Sequence, residues 1–132
     1  MTVDTSAILA ILLNESEAER FGTAIRNSSR AMISSACYVE AAIRVDRCGN
    51  PVASRMLDEA IELMGITLEP VTPEQARIAR AAYRDFGKGT GHPAQLNFGD
   101  CFSYALAKAK RTALLYKGED FAKTDLLSAV SP

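Results

Sequence analysis

Tryptophan is absent from this chain, histidine occurs once and cysteine three times in 132 residues. A lone His92 and the scattered thiols of Cys37, Cys48 and Cys101 lack the spacing of a zinc site. No Ser–His or Cys–His pair stands out, which disfavours a protein nucleophile. The thiols are odd in number and form no C-x-x-C pair, so they read as buried free cysteines in a reducing cytosol rather than a disulfide framework. No apolar run reaches the roughly 20 residues needed to cross a bilayer. The short run over 8–13 follows an acid and lacks a basic leader, so it is not a signal peptide. An excess of charge of either sign is also missing. The net charge is -1, and any contact with nucleic acid must rest on a local basic patch. The expectation is a cytoplasmic protein without a membrane span. Repeats, linkers and low-complexity tracts are lacking too, and one domain over 1–132 follows.

What is present is an alternation of short β-type runs with longer helical ones. Residues 1–3 read as a strand and 5 onward as a helix, with Asp4 at the join. Asp is a good N-cap. In an open α/β sheet the same position, beyond the carboxyl end of a strand, is where ligands bind. A polar break over 15–20 precedes a second short helix carrying Phe21, Ala24 and Ile25. A buried strand over 31–33 follows, then Ser34 and Ser35 as caps for a helix over 36–47. The periodicity predicts a helix over 52–64 with Met56, Leu57, Ala60, Ile61 and Met64 on one face. A strand over 66–71 leads to Thr72, Pro73 and Gln75 at N-cap, N1 and N3 of a helix reaching Phe86. The glycine-rich stretch 87–93 is the expected mobile loop. A helix over 101–110, a strand over 113–116, a helical turn over 119–122 and an edge strand over 126–130 complete the chain. The fold class is α/β: a short parallel sheet with helices on both faces.

Acids recur at the ends of these strands. Asp4 follows the first, Glu40 lies in the helix after the second, Asp100 opens a helix, and Asp120 follows the strand containing Leu114. A parallel sheet brings such junctions to one end. Carboxylates held close repel unless a divalent cation neutralises them, and hard ions such as Mg²⁺ or Mn²⁺ suit oxygen ligands. Three of the four also have a plainer duty: capping for Asp4 and Asp120, and an i,i+4 pair with Arg44 for Glu40. Asp100 stands out, as a charge against an apolar helix next to Gly99, which allows close backbone approach.

Val3-Asp4-Thr5-Ser6-Ala7, Glu40, the block from Leu96 through Lys108 and the segment Gly118-Glu119-Asp120-Phe121 together resemble the PIN domain, and more narrowly the VapC toxins of bacterial toxin–antitoxin pairs. The resemblance spans the chain, and its most specific part runs from His92 to Lys108. It implies a PIN-like fold and a metal-dependent endoribonuclease. It also implies a VapB-like antitoxin that blocks the site, an RNA substrate and a toxin homodimer. By the same resemblance Asp4, Glu40 and Asp100 match the metal-binding acids, and Ser6 matches a hydroxyl supporting the first Asp. The fourth acid departs from the common pattern. Gly118 stands where many relatives carry an acid, so Asp120 is chosen, with Glu119 and Asp125 as reserves.

Arg77, Arg80 and Arg84 share a helix face and Lys88 follows in the loop, which makes a phosphate-contacting stripe or an ordinary solvated face. His92, before Pro93, reads as structural. The sequence leaves two other readings open. A phosphatase with an Asp nucleophile would want a second Asp at position 6, where Ser6 stands. A catalytically weak PIN-like interaction module would fit the altered fourth position.

Overall fold

The computed structural model describes residues 1–130. The chain runs β1 (Thr2–Val3), α1 (Thr5–Leu12), α2 (Ala18–Arg26), β2 (Ala31–Ser34), α3 (Ser35–Arg47), α4 (Pro51–Leu63), β3 (Ile66–Glu69), α5 (Pro73–Phe86), α6 (Phe98–Lys110) and β4 (Leu114–Leu115), followed by a 3-10 turn at Phe121–Lys123. All four strands are parallel, in the order β3-β2-β1-β4. The chain therefore leaves β1 toward β2 on one side and returns to β4 on the other. That reversal opens a crevice at the carboxyl ends of β1 and β4, the usual ligand position in open α/β sheets.

The strands are short, and β1, β2 and β4 are buried along their length. This is the pattern of a sheet covered on both faces. One apolar cluster joins β1 and β2 to α1, α2, α3 and α4 through Val3, Ile8, Phe21, Ile33, Val45 and Leu57. A second joins α5 and α6 to β4 through Ala79, Leu96, Tyr104, Leu114 and Phe121.

Several boundaries differ from expectation. α2 begins at Ala18, so part of the polar break is helical; Phe21 and Ile25 are its buried anchors. α4 buries Ala53, Leu57 and Ile61, a narrow stripe at four-residue spacing, and Met56 is 43% exposed. β3 stops at Glu69, before Pro70, which has no N–H to extend the ladder. α6 starts at Phe98 with Asn97 as its N-cap, so Asp100 lies within the first turn rather than ahead of the helix. The span 126–130 makes a single parallel bridge, Leu114 to Ser128, not a strand. Its two bonds are Leu114 N–H to Leu127 O at 2.9 Å and Ala129 N–H to Leu114 O at 2.8 Å. Cys37 and Cys101 are buried, but Cys48 is exposed.

The stretch 87–93 is tied at its base. Lys88 N–H donates to Leu96 O and Leu96 N–H to Phe86 O, both at 2.9 Å. Within it Thr90 Oγ1 donates to Gly87 O at 2.7 Å, and Gly89 and Gly91 take the left-handed turn (φ 89° and 87°) that favours glycine. His92 Nδ1 accepts from Ala94 N–H at 3.1 Å and its ring packs edge-on to Phe86, so its place is structural.

Candidate active site

Asp4 leaves β1 in extended conformation and caps α1. Its Oδ2 accepts from Ser6 N–H at 2.9 Å and from Ser6 Oγ at 2.5 Å. Its Oδ1 accepts from Ser103 Oγ, on α6, at 2.5 Å. The residue is only 3% exposed, so these bonds replace most of the water a carboxylate would otherwise hold. Ser6 Oγ in turn accepts from Lys117 N–H at 3.0 Å, which ties the segment after β4 to the start of α1.

Glu40 projects from the second turn of α3. Thr5 Oγ1 donates to its Oε2 at 3.3 Å, and Arg44, one helical turn on, donates to its Oε1 at 3.2 Å. Asp100 completes a capping box with Asn97: Asp100 N–H donates to Asn97 Oδ1 at 2.9 Å and Asn97 N–H to Asp100 Oδ2 at 2.8 Å. Burial is the largest influence on Asp100. It outweighs the stabilising Asn97 bond and, with the negative charges of Asp4, Asp120 and Glu40, pushes the carboxyl up to about 7.

Asp4, Ser6, Glu40, Asp100 and Asp120 all line one cleft of about 180 Å³, together with Thr5, Arg44, Asn97 and Lys117. The reserves lie elsewhere. Glu119 lines a neighbouring groove with Glu17 and Tyr116. Asp125 accepts from Tyr104 Oη at 2.6 Å and from Lys108 at 2.8 Å, and those bonds, Lys108 first, hold its carboxyl below the usual range. Arg77, Arg80 and Arg84 do share a face, lining a separate hollow with Ala81, while Arg84 also pairs with Asp85 at 2.7 Å. Lys88 is exposed in the loop, its carbonyl accepting from Tyr83 Oη at 3.1 Å.

Among the described residues no three Asp, Glu, His or Cys side chains stand close enough to enclose an ion. The acids face a shared cleft while each is held by its own partners. The donor set is nonetheless all carboxylate, and the negative charges of three neighbouring acids add to the upward push that burial gives Asp100. Both features fit a hard divalent cation. Thr5, Asn97, Ser103 and Lys117 also belong to the site; Thr5 and Ser103 fall inside stretches that carry the family resemblance without a role assigned to them there, and Lys117 falls in none. Asn97 is readable, since N-x-x-D ahead of an apolar run is a capping signature.

The fold and this acid-lined switch point define a class, and residues 1–127 match the PIN domain family. Ribonuclease VapC28 of Mycobacterium tuberculosis is 53% identical over 130 residues, covering 98% of each chain. The crystal structure of Mycobacterium tuberculosis VapC20, described as a Sarcin-Ricin loop cleaving toxin, superposes with a TM-score of 0.75 at 20% identity, over 99% of this chain and 98% of that one. A toxin–antitoxin complex from Klebsiella pneumoniae gives 0.74 at 15% identity, over 99% and 98%. These two likenesses are of fold. The chain belongs to the PIN-domain family and, within it, to the VapC ribonuclease toxins of toxin–antitoxin systems.

Proposed function

We propose that the cleft hydrolyses RNA phosphodiester bonds with Mg²⁺ or Mn²⁺ held by Asp4, Glu40, Asp100 and Asp120. The observation that supports this most is convergence: four carboxylates from four separate segments of the chain line one cleft at the switch point. When bound, a divalent cation neutralises the phosphate and activates water for attack.

The chain's own residues supply the rest. Asp4 is held rigidly by Ser6. Asp100, its carboxyl pushed up to about 7 by burial, would have to give up its proton to hold a cation. Glu40, paired here with Arg44, would be a further ligand for the cation, and the Arg44 guanidinium lines the cleft where it could meet a phosphate oxygen. Arg77, Arg80, Arg84 and Lys88 form an outlying contact for the RNA backbone.

The partners of this reading are a VapB-like antitoxin and a second copy of the chain. The homodimer contact falls on the uncovered apolar surface of Val39, Ile43 and Phe98, which are 52%, 52% and 77% exposed. The deciding experiment is cleavage of a structured RNA by purified protein. Cleavage with Mg²⁺ or Mn²⁺, none in EDTA and none by Asp100→Asn is expected. Cleavage that persists in EDTA and in Asp100→Asn would sink the proposal.

A further inference from the structure

Asp4 is gripped from both sides by two relays of the same form. On one side Lys117 N–H donates to Ser6 Oγ, and Ser6 donates to Asp4 Oδ2. On the other, Ser103 donates to Asp4 Oδ1 at 2.5 Å, and Cys37 Sγ lies 3.1 Å behind Ser103 Oγ. An ionised carboxylate only accepts, so the Ser103 hydrogen points at Asp4. In its 3.1 Å contact with Ser103 the Cys37 thiol is the donor, and Gly99 O, 3.7 Å from Sγ, is its alternative acceptor. Ser103 and Cys37 are both 0% exposed. A hydroxyl sealed in the interior is costly without a partner, and its partner here is the best-anchored acid of the cleft.

We infer that Ser103 is a positioning residue for the Asp4 carboxylate, with the Cys37 thiol orienting its hydroxyl. The inference rests on the cation-dependent reading of the cleft. A carboxylate has about four lone-pair positions. Ser6 takes two through Oδ2 and Ser103 takes one on Oδ1, which leaves the remaining position on Oδ1. Ser103 thus fixes the rotation of the carboxylate and so the direction in which that free position is offered. Without it Asp4 is held by Oδ2 alone and can turn about its last torsion.

The test is Mn²⁺ affinity by titration calorimetry on the purified full chain, with melting in EDTA and RNA kinetics alongside. Ser103→Ala is expected to melt cooperatively and to bind Mn²⁺ roughly 10- to 100-fold more weakly, the usual loss when a residue that orients a ligand is removed. Its KM for RNA should stay at the parent value, and its rate at low Mn²⁺ should fall and recover as Mn²⁺ is raised. Ser103→Cys keeps the size with a weaker donor; it is expected to fall between, and carries the test if the alanine variant does not fold. Parent-like Mn²⁺ affinity in folded Ser103→Ala, with Asp4→Asn defective, overturns the inference and leaves the cation reading intact. Undiminished Mn²⁺ binding by Asp4→Asn overturns both.

Discussion

The carboxylate of Glu40 occupies the space in which a side chain on Gly99 would stand: a β-carbon there would overlap Oε2 and lie 2.8 Å from Cδ. The two residues are on different helices, α3 and α6, and their approach sets how closely the second acid stands to the third. Gly99→Ala therefore separates stability from activity. Alanine is favoured over glycine in helices by up to about 1 kcal/mol, less in a first turn. The variant should melt at or near the parent temperature. Glu40 must rotate away, so RNA cleavage should fall by at least about tenfold, and adding Glu40→Gln should cost little more because the two changes share one mechanism. A fully active Gly99→Ala protein would show that Glu40 works from another rotamer.

The same pair shows what a sequence reveals and what it withholds. The Gly beside Asp100 is legible as a site of close approach, but the group that approaches comes from 59 positions earlier in the chain, and only the packing of α3 on α6 names it. Periodicity and capping residues locate every helix, because those signals act within a few residues. Asn97 is the cap that places the start of α6 at Phe98, three residues ahead of the apolar run that periodicity detects. Met56 falls on the predicted apolar face yet is exposed, since a 3.6-residue stripe tolerates neighbours on either flank and only the partner surface decides between them. Ser103 is hidden most deeply. Its bond to Asp4 spans 99 positions, and a serine in an apolar helix looks like any other small residue.

The arginine stripe gives a salt-dependence prediction. Reversing the charge of Arg77, Arg80 and Arg84 should weaken RNA binding. The slope of log affinity against log salt should fall by about one for each phosphate no longer neutralised. Arg84 is partly neutralised by Asp85, so its single reversal should matter least of the three. Binding titrations at several salt concentrations measure this. An unchanged slope would return the stripe to an ordinary solvated face.

Phe98 tests the proposed homodimer. It is 77% exposed and rests edge-on against Phe102 with ring centroids 5.0 Å apart. A large apolar ring left in water beside Val39 and Ile43 is stabilised by covering it. Phe98→Glu should leave the fold intact, since the side chain contributes little to the core, and should shift sedimentation velocity from dimer to monomer at micromolar concentration. A parent protein already monomeric there, or a variant that stays dimeric, would remove this surface from the interface.

Asp100→Asn brings the electrostatics of the cleft to one measurement. In metal-free protein the Asp100 carboxyl titrates at about 7, against 3.8 for an ordinary Asp, so the folded state keeps a proton that the unfolded chain releases. That difference favours folding fully below about 4 and is lost as pH rises through about 7. Asparagine cannot ionise, and its side-chain oxygen can still accept from Asn97 N–H. What it loses is the favourable charge near the start of α6, worth about 0.3–1 kcal/mol. The upward displacement of Asp100 persists despite its Asn97 bond, so burial and like-charge repulsion are the larger effect. In EDTA the variant should therefore melt at the same or a higher temperature than the parent at pH 8, with the gap narrowing or reversing toward pH 5. Excess Mn²⁺ should reverse the order. A cation at a hundred times its dissociation constant stabilises the parent by about 2.7 kcal/mol, and the variant should lose most of that shift. A large loss of stability in EDTA with an intact Mn²⁺ shift would make Asp100 a helix cap alone, and the shared cation site would then have to be given up at the acid where its electrostatic support is strongest.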